Sequence, residues 1–286
     1  MRSLLIVIGC FVSVWERGVS DASANIETEG LIYGGTFAEP TEYPFVAEIK
    51  LNTANGAFFQ CAGSILSQWW IVTAAHCLQW GDSFSVIVGQ YNLTEKSPFQ
   101  NQHNVSFSVI HRSFNTTGND LNNDIALLKM EKKILFNAFV KPANLPTSDV
   151  DYSGRTGTVI GWGFTEINLT SPVLRELQVV IEGYEKCGRT YIENKSSRGP
   201  SSYEICAKSN KNQGACSGDS GGPLIVKEGN KDVVIGVLSA GYNSCGTEIP
   251  EIYVLIYKFQ NWIAGVMQRY TRIISIQRGG ERKIRV

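Results

Sequence analysis

From residue 32 onward the sequence is a succession of short apolar runs separated by turn residues, and this rhythm limits the fold more than any other feature. The runs fall at 45–51, 64–66, 70–73, 83–88, 105–110, 125–130, 156–162, 177–181, 223–226, 233–239 and 252–254. They are rich in Val, Ile, Phe and Thr, with Gly, Asn, Ser and Pro between them. β-Branched and aromatic side chains suit a pleated, half-buried surface, and spacings near ten residues leave no room for the crossover helices of a parallel sheet. Such a chain is expected to be all-β, built as antiparallel sandwiches or barrels. One helix is expected late, from Tyr257 to between 267 and 270, where Phe259, Trp262, Ile263, Val266 and Met267 recur at three and four. No internal repeat stands out. Lys141-Pro142-Ala143-Asn144-Leu145-Pro146, near the midpoint, is the expected crossing between two halves.

The first 31 residues have a different character. Met1 and Arg2 precede an apolar run from Leu4 to Trp15, closed by Glu16 and Arg17, and Ala22-Ser23-Ala24 offers small residues where a signal peptidase reads. Such a run is too short to span a bilayer. Residues 1–24 are therefore expected to be a signal peptide, not a transmembrane anchor, and the product to be secreted. Its removal takes Cys10 from the seven cysteines and leaves Cys61, Cys77, Cys187, Cys206, Cys216 and Cys245, an even set for an oxidising compartment. Arithmetic alone does not choose among their pairings. No two form a C-x-x-C pair, and the three histidines lie far from most of them, which argues against zinc. Sequons at Asn92, Asn104, Asn115, Asn168 and Asn194 are candidate glycan sites on a secreted chain.

The 26 basic and 26 acidic side chains balance, which excludes a general polyanion binder and any specific nucleic-acid partner. The balance is uneven along the chain. Residues 268–286 carry Arg269, Arg272, Arg278, Arg282, Lys283 and Arg285 against Glu281, so a weakly acidic body ends in a basic tail. That tail reads as a solvated extension, with an anionic-surface tether as the alternative.

The densest chemical signal is Gly218-Asp219-Ser220-Gly221-Gly222-Pro223. Glycines let backbone N–H groups turn toward an anion, so a serine between them can attack a carbonyl while its own N–H and that of Gly218 receive the developing oxyanion. A serine needs a base. Of the three histidines, His76 in Thr73-Ala74-Ala75-His76-Cys77 follows an apolar run and is pinned by a half-cystine, whereas His103 and His111 read as surface residues. The orienting acid should be buried. Asp124 runs straight into Ile125-Ala126-Leu127-Leu128, and its competitor Asp120 reads as a loop residue.

Thr-Ala-Ala-His-Cys, Asp-Ile-Ala-Leu-Leu, Gly-Trp-Gly at 161–163 and Gly-Asp-Ser-Gly-Gly-Pro, in this order, resemble the trypsin and chymotrypsin family of secreted serine endopeptidases, over residues 32–267. The resemblance implies two six-stranded antiparallel β-barrels with a C-terminal helix: barrel 1 over about 32–140, barrel 2 over about 141–256, the helix to about 267. It implies Ser220 as nucleophile, His76 as base and then acid, Asp124 as the group that orients the imidazole, and Gly218 and Ser220 as oxyanion donors. It also implies disulfides Cys61–Cys77, Cys187–Cys206 and Cys216–Cys245, and no cofactor. Ile32-Tyr33-Gly34-Gly35 is similar to the family's mature N-terminus. In that scheme cleavage at Leu31–Ile32 releases the propeptide 25–31, and the freed Ile32 ammonium pairs with buried Asp219. Activity should then fall on the alkaline side as that amine loses its proton. Leu31 departs from the usual Arg or Lys, so the activating protease should be one that prefers Leu. Asn144 stands where some relatives tie the propeptide on through cysteine, so the propeptide should leave.

By the same resemblance Gly214, Ser239, Gly241 and Glu251 line the substrate pocket. An uncharged floor at Gly214 and an open mouth at Gly241 favour large apolar or aromatic residues at P1. Glu251, an acid on the wall as in brachyurin-type relatives, accepts Lys or Arg, narrows the slot, or points to solvent. The loop after Gly89 has Gln90 and Glu95 but too few acids for calcium, so no metal is expected. The expected partners are protein or peptide substrates, an activating protease and protein protease inhibitors, and the protein should be a monomer. Two other readings stay open: a non-catalytic protease-fold binding or regulatory protein, and a disulfide-bonded β-sandwich of lectin type.

Overall fold

In the computed structural model, which describes residues 32–53, 58–79, 81–115, 121–167, 169–196, 199–242 and 245–277, and only the backbone at 58 and 271–277, the apolar runs close into two rings of strands. A two-residue strand, β1 (Thr36–Phe37), lies outside both. The first ring takes β2 (Val46–Asn52), β3 (Phe58–Ser67), β4 (Trp70–Thr73), β5 (Ser83–Val88), β6 (Asn101–Ile110) and β7 (Ala126–Met130) in the order β2-β3-β4-β7-β6-β5, with β5 back on β2. The second takes β8 (Thr156–Gly161), β9 (Arg175–Glu182), β10 (Glu204–Lys208), β11 (Pro223–Glu228), β12 (Lys231–Ala240) and β13 (Glu251–Leu255), closed because β8 pairs with both β9 and β11. β1 adds to β9. All strand–strand pairings among the described residues are antiparallel, and closure leaves neither ring with a free edge to template aggregation.

Burial explains how the barrels join. β6 alternates between more and less exposed residues, as a half-buried strand should, whereas β4, β7 and β13 are buried throughout. One core cluster fills barrel 1 around Ile49, Ile71 and Leu127 and runs on through Ile225, Val234 and Val237 of barrel 2. The second fills barrel 2 and includes Ile32. Residues 141–146 touch both rings: Ala143 N donates to Ile65 O, and Asn144 bridges Val233 of β12. Among the described residues the disulfides are Cys61–Cys77, Cys187–Cys206 and Cys216–Cys245.

Four features differ from the sequence reading. Helix α1 (Tyr184–Glu193) was not visible in the pattern, because it contains Gly188, lacks a side-chain N-cap and buries only Cys187 and Tyr191. Tertiary partners hold it: Cys187 is bridged to β10, and Tyr191 OH donates to Pro250 O at 2.7 Å. Strand β10 was also missed, since Glu-Ile-Cys-Ala-Lys shows little alternation, yet it sits between β9 and β13 with four of its five residues buried. The terminal helix α2 (Ile256–Gln277) runs ten residues past 267, so the first part of the expected tail is helical. Its extension packs on barrel 1, where the Tyr270 ring lies 4.7 Å from Phe107. His111 is likewise no plain surface residue, as its ring lies 5.2 Å from Phe259 and 5.1 Å from Trp262. The signal peptide, propeptide, Leu31, Asp120, Asn168 and residues 278–286 lie outside the described residues. Among the described residues no helix is long and apolar enough to cross a membrane.

Candidate active site

His76 opens a short 3-10 helix, His76–Gln79, directly after β4 and the buried Ala74 and Ala75. The next residue, Cys77, is bonded to Cys61 of β3, so the turn is fixed from both sides. Asp124, fully buried, precedes β7, and β7 pairs with β4. The two strand ends therefore meet. Asp124 Oδ2 lies 2.7 Å from His76 Nδ1, and Oδ1 accepts from His76 N at 2.8 Å. A third donor comes from barrel 2, where Ser239 Oγ on β12 reaches Asp124 Oδ2 at 2.7 Å. A carboxylate on Nδ1 fixes the tautomer with its proton there, leaving Nε2 as acceptor.

Ser220 enters from barrel 2. Its carbonyl accepts from Ala62 N at 2.8 Å, and Cys77 Sγ lies 3.7 Å from that carbonyl and 3.9 Å from His76 Nε2, so imidazole and serine share one half-cystine neighbour. Gly221 makes this approach possible. At φ +80, a Cβ there would come within 2.2 Å of Thr73 Oγ1 and 2.4 Å of Ala62 O. Among the described residues, the N–H groups of Gly218 and Ser220 have no acceptor, which leaves two donors beside the serine. Gly218 has φ +99, a conformation that favours glycine.

Behind the serine, the Asp219 carboxylate is 2% exposed and accepts from Gly163 N at 2.7 Å and Cys216 N at 2.9 Å. Burial pushes its pKa up to about 6 against the pull of those two bonds. The Gly-Trp-Gly motif has its reason here: a Cβ on Gly161 would meet Asp219 Oδ1 at 2.0 Å, and one on Gly163 would meet Oδ2 at 2.4 Å. Trp162 between them donates from Nε1 to Tyr91 O at 3.0 Å, tying the cradle to barrel 1.

A cavity of about 240 Å³ opens beside Ser220, lined by Ala215, Leu238, Gly241, Tyr242 and Glu251 among others. Glu251 does not point to solvent. It is 5% exposed, and a Cβ on Gly214 would come within 2.3 Å of its Oε1, so the acid packs against that glycine and lines the cavity from a buried position. Ala215 N donates to Oε1 at 3.2 Å, while burial, with the Asp219 charge adding to it, pushes the carboxyl up to about 8. The Ser239 hydroxyl is turned to Asp124, a role with no signal in the linear pattern.

Among the described residues the one metal-like cluster is Cys61, His76 and Cys77, and its cysteines are a disulfide with no thiolate to offer. Asn104, Asn115 and Asn194 are exposed; Asn92 is half-buried, its Oδ1 accepting from Thr94.

The family model described as Trypsin matches residues 32–263. Duodenase-1 of Bos taurus is 34% identical over 86% of this chain and 93% of its own. The CLIP domain-containing serine protease HP8 of Bombyx mori is 30% identical over 85% of this chain and 71% of its own. A solved structure described as "Structure of GrC" superposes with a TM-score of 0.72 at 27% identity, covering 82% of this chain and 99% of that one.

Proposed function

The chain belongs to the trypsin family of serine proteases, and from that premise we propose that it is an active endopeptidase working through Ser220, His76 and Asp124. Ser220 Oγ attacks the scissile carbonyl while His76 Nε2 removes its proton, and the same proton then goes to the leaving amine. Asp124 keeps Nδ1 protonated and stabilises the imidazolium that forms between the two steps. The Gly218 and Ser220 N–H groups receive the oxyanion, and such a donor is typically worth about 10²–10³ in rate. Water then releases the acyl group by the same route. The observation that carries this reading is the Asp124 carboxylate, which takes donors from His76 of one barrel and Ser239 of the other, at the seam where Ser220 lies.

The finer points are also proposed. The protein is made with a signal peptide (1–24), secreted, and activated by cleavage of propeptide 25–31 at Leu31–Ile32. Residues 32–267 form the protease domain and 268–286 the basic tail. At P1 the cavity takes large apolar or aromatic side chains, and Glu251, in its lining, admits Lys or Arg. A cleavage profile of the Ile32-started enzyme on a peptide library tests this: cuts after Phe, Tyr, Leu or Met, with Lys and Arg cuts lost in Glu251→Gly, are expected. No cleavage of any peptide would favour a protease-fold binding or regulatory protein instead.

A further inference from the structure

The described start of the chain is held by two segments of barrel 2. From barrel 2, Gly214 N donates to Tyr33 O at 2.8 Å, and Gln213 Nε2 donates to Gly34 O at 2.9 Å. From the β8–β9 connection of the same barrel Glu166 accepts from Gly34 N, and at the start of β9 Arg175 Nη1 donates to Gly35 O at 3.3 Å. Arg175 is 1% exposed and makes no ion pair among the described residues. Its Nε donates to Ser171 Oγ at 2.9 Å, and its guanidinium lies 4.0 Å from the Phe37 ring centroid. Burial pushes its pKa down to about 10, and the nearby Glu166 charge opposes that shift. Taking a guanidinium out of water is costly unless its donors are used. Here one donor is used on Ser171 and one on the main chain three residues after Ile32, which is itself 1% exposed in the barrel 2 core.

We propose that Glu166 and Arg175 form a latch on Gly34 and Gly35, and are positioning residues that hold the freed Ile32 ammonium in front of Asp219. This rests on the activation reading above. A terminus released by cleavage gains conformational freedom, and each residue fixed behind it reduces what docking must overcome. Gly34, at φ +73, takes a conformation that favours glycine, and the latch bonds its N–H. Docking raises the ammonium's pKa, so the docked form is complete at low pH and is lost as pH climbs through the raised value. Weakening docking tenfold moves that alkaline midpoint down by about one pH unit. Hydrogen bonds to charged groups commonly shift an equilibrium by about tenfold or more.

The test uses the full-length chain carrying Leu31→Arg, cut by trypsin, with an Ile32 N-terminus verified by sequencing. Two readouts are followed: kcat/KM on a small peptide from pH 6 to 11, and the rate of Ile32 acetylation by acetic anhydride. Glu166→Ala and Arg175→Met are each expected to lower the alkaline midpoint by about one unit and to speed acetylation about tenfold. Glu166→Gln, which keeps an acceptor on Gly34, should give a smaller shift. Midpoints and acetylation rates at wild-type values in Glu166→Ala overturn the latch, as does a loss of activity that is uniform across pH. Glu166 is exposed, so its variants test the latch even if Arg175→Met does not fold. Full activity of wild-type enzyme acetylated at Ile32 would instead bring down the activation reading, and the latch with it.

Discussion

On the proposed P1 reading, Glu251 should make the substrate preference invert with pH. Its carboxyl faces Asp219, the buried Tyr253 hydroxyl, and the N–H groups of Ala215 and its own backbone, with no cation on it among the described residues. With its pKa at about 8, roughly one tenth of the enzyme carries a charged Glu251 at pH 7 and about nine tenths at pH 9. Lys at P1 requires the charged form, and Phe the neutral one. The ratio of kcat/KM for Lys over Phe should therefore rise about a hundredfold between pH 7 and pH 9. Taking a ratio cancels any loss of active enzyme at high pH, including loss of the Ile32 ammonium. The assay is steady-state hydrolysis of two peptides that differ only at P1, each measured in half-unit steps. In Glu251→Gln the ratio should stay flat and low. A flat ratio in the wild-type enzyme would refute the reasoning, because the acid would then be either outside the P1 site or in one protonation state throughout.

Ser239→Ala removes one of three donors on Asp124 and should lower kcat about tenfold with little change in thermal midpoint, as steady-state kinetics and calorimetry can check. Gly161→Ala places a Cβ where Asp219 Oδ1 now sits and should shift the 218–220 turn enough to cost about a hundredfold in kcat/KM, with the disulfides still formed. In the uncut chain Asp219 has a folded pKa of about 6 against an ordinary 3.8. Its contribution to stability is thus full below about 3.8 and falls by about 3 kcal/mol as pH rises through 6. Denaturant melts of wild type and Asp219→Asn at pH 4 and pH 7 isolate that loss, which should vanish in the cut enzyme.

The barrels were legible because their strands carry their own signal. Runs such as 83–88, ending in Val-Ile-Val between Gly81-Asp82 and Gly89, and the mostly apolar 125–130 carry strand patterning that needs no tertiary information to place. Helix α1 and strand β10 were not legible, since a disulfide and flanking strands stabilise what their composition does not favour. His76, Asp124 and Ser220 could be picked out because each stands beside an apolar run or among glycines that make sense only around a site. The surrounding polar shell could not. The direction of Glu251, the turn of Ser239 toward Asp124 and the burial of Arg175 depend on which strands lie opposite, and a linear pattern does not carry that. Gly161 and Gly163 fall between the two: visible as a motif, but explained only by the carboxylate packed against them.

The central claim is that Ser220 is a nucleophile activated by His76. Mass spectrometry of the Ile32-started enzyme after exposure to a peptidyl phosphonate tests it most directly. One phosphonyl group on Ser220, absent from Ser220→Ala and strongly slowed in His76→Ala, is the predicted result. An unmodified Ser220 in the correctly cut, fully disulfide-bonded protein would contradict it.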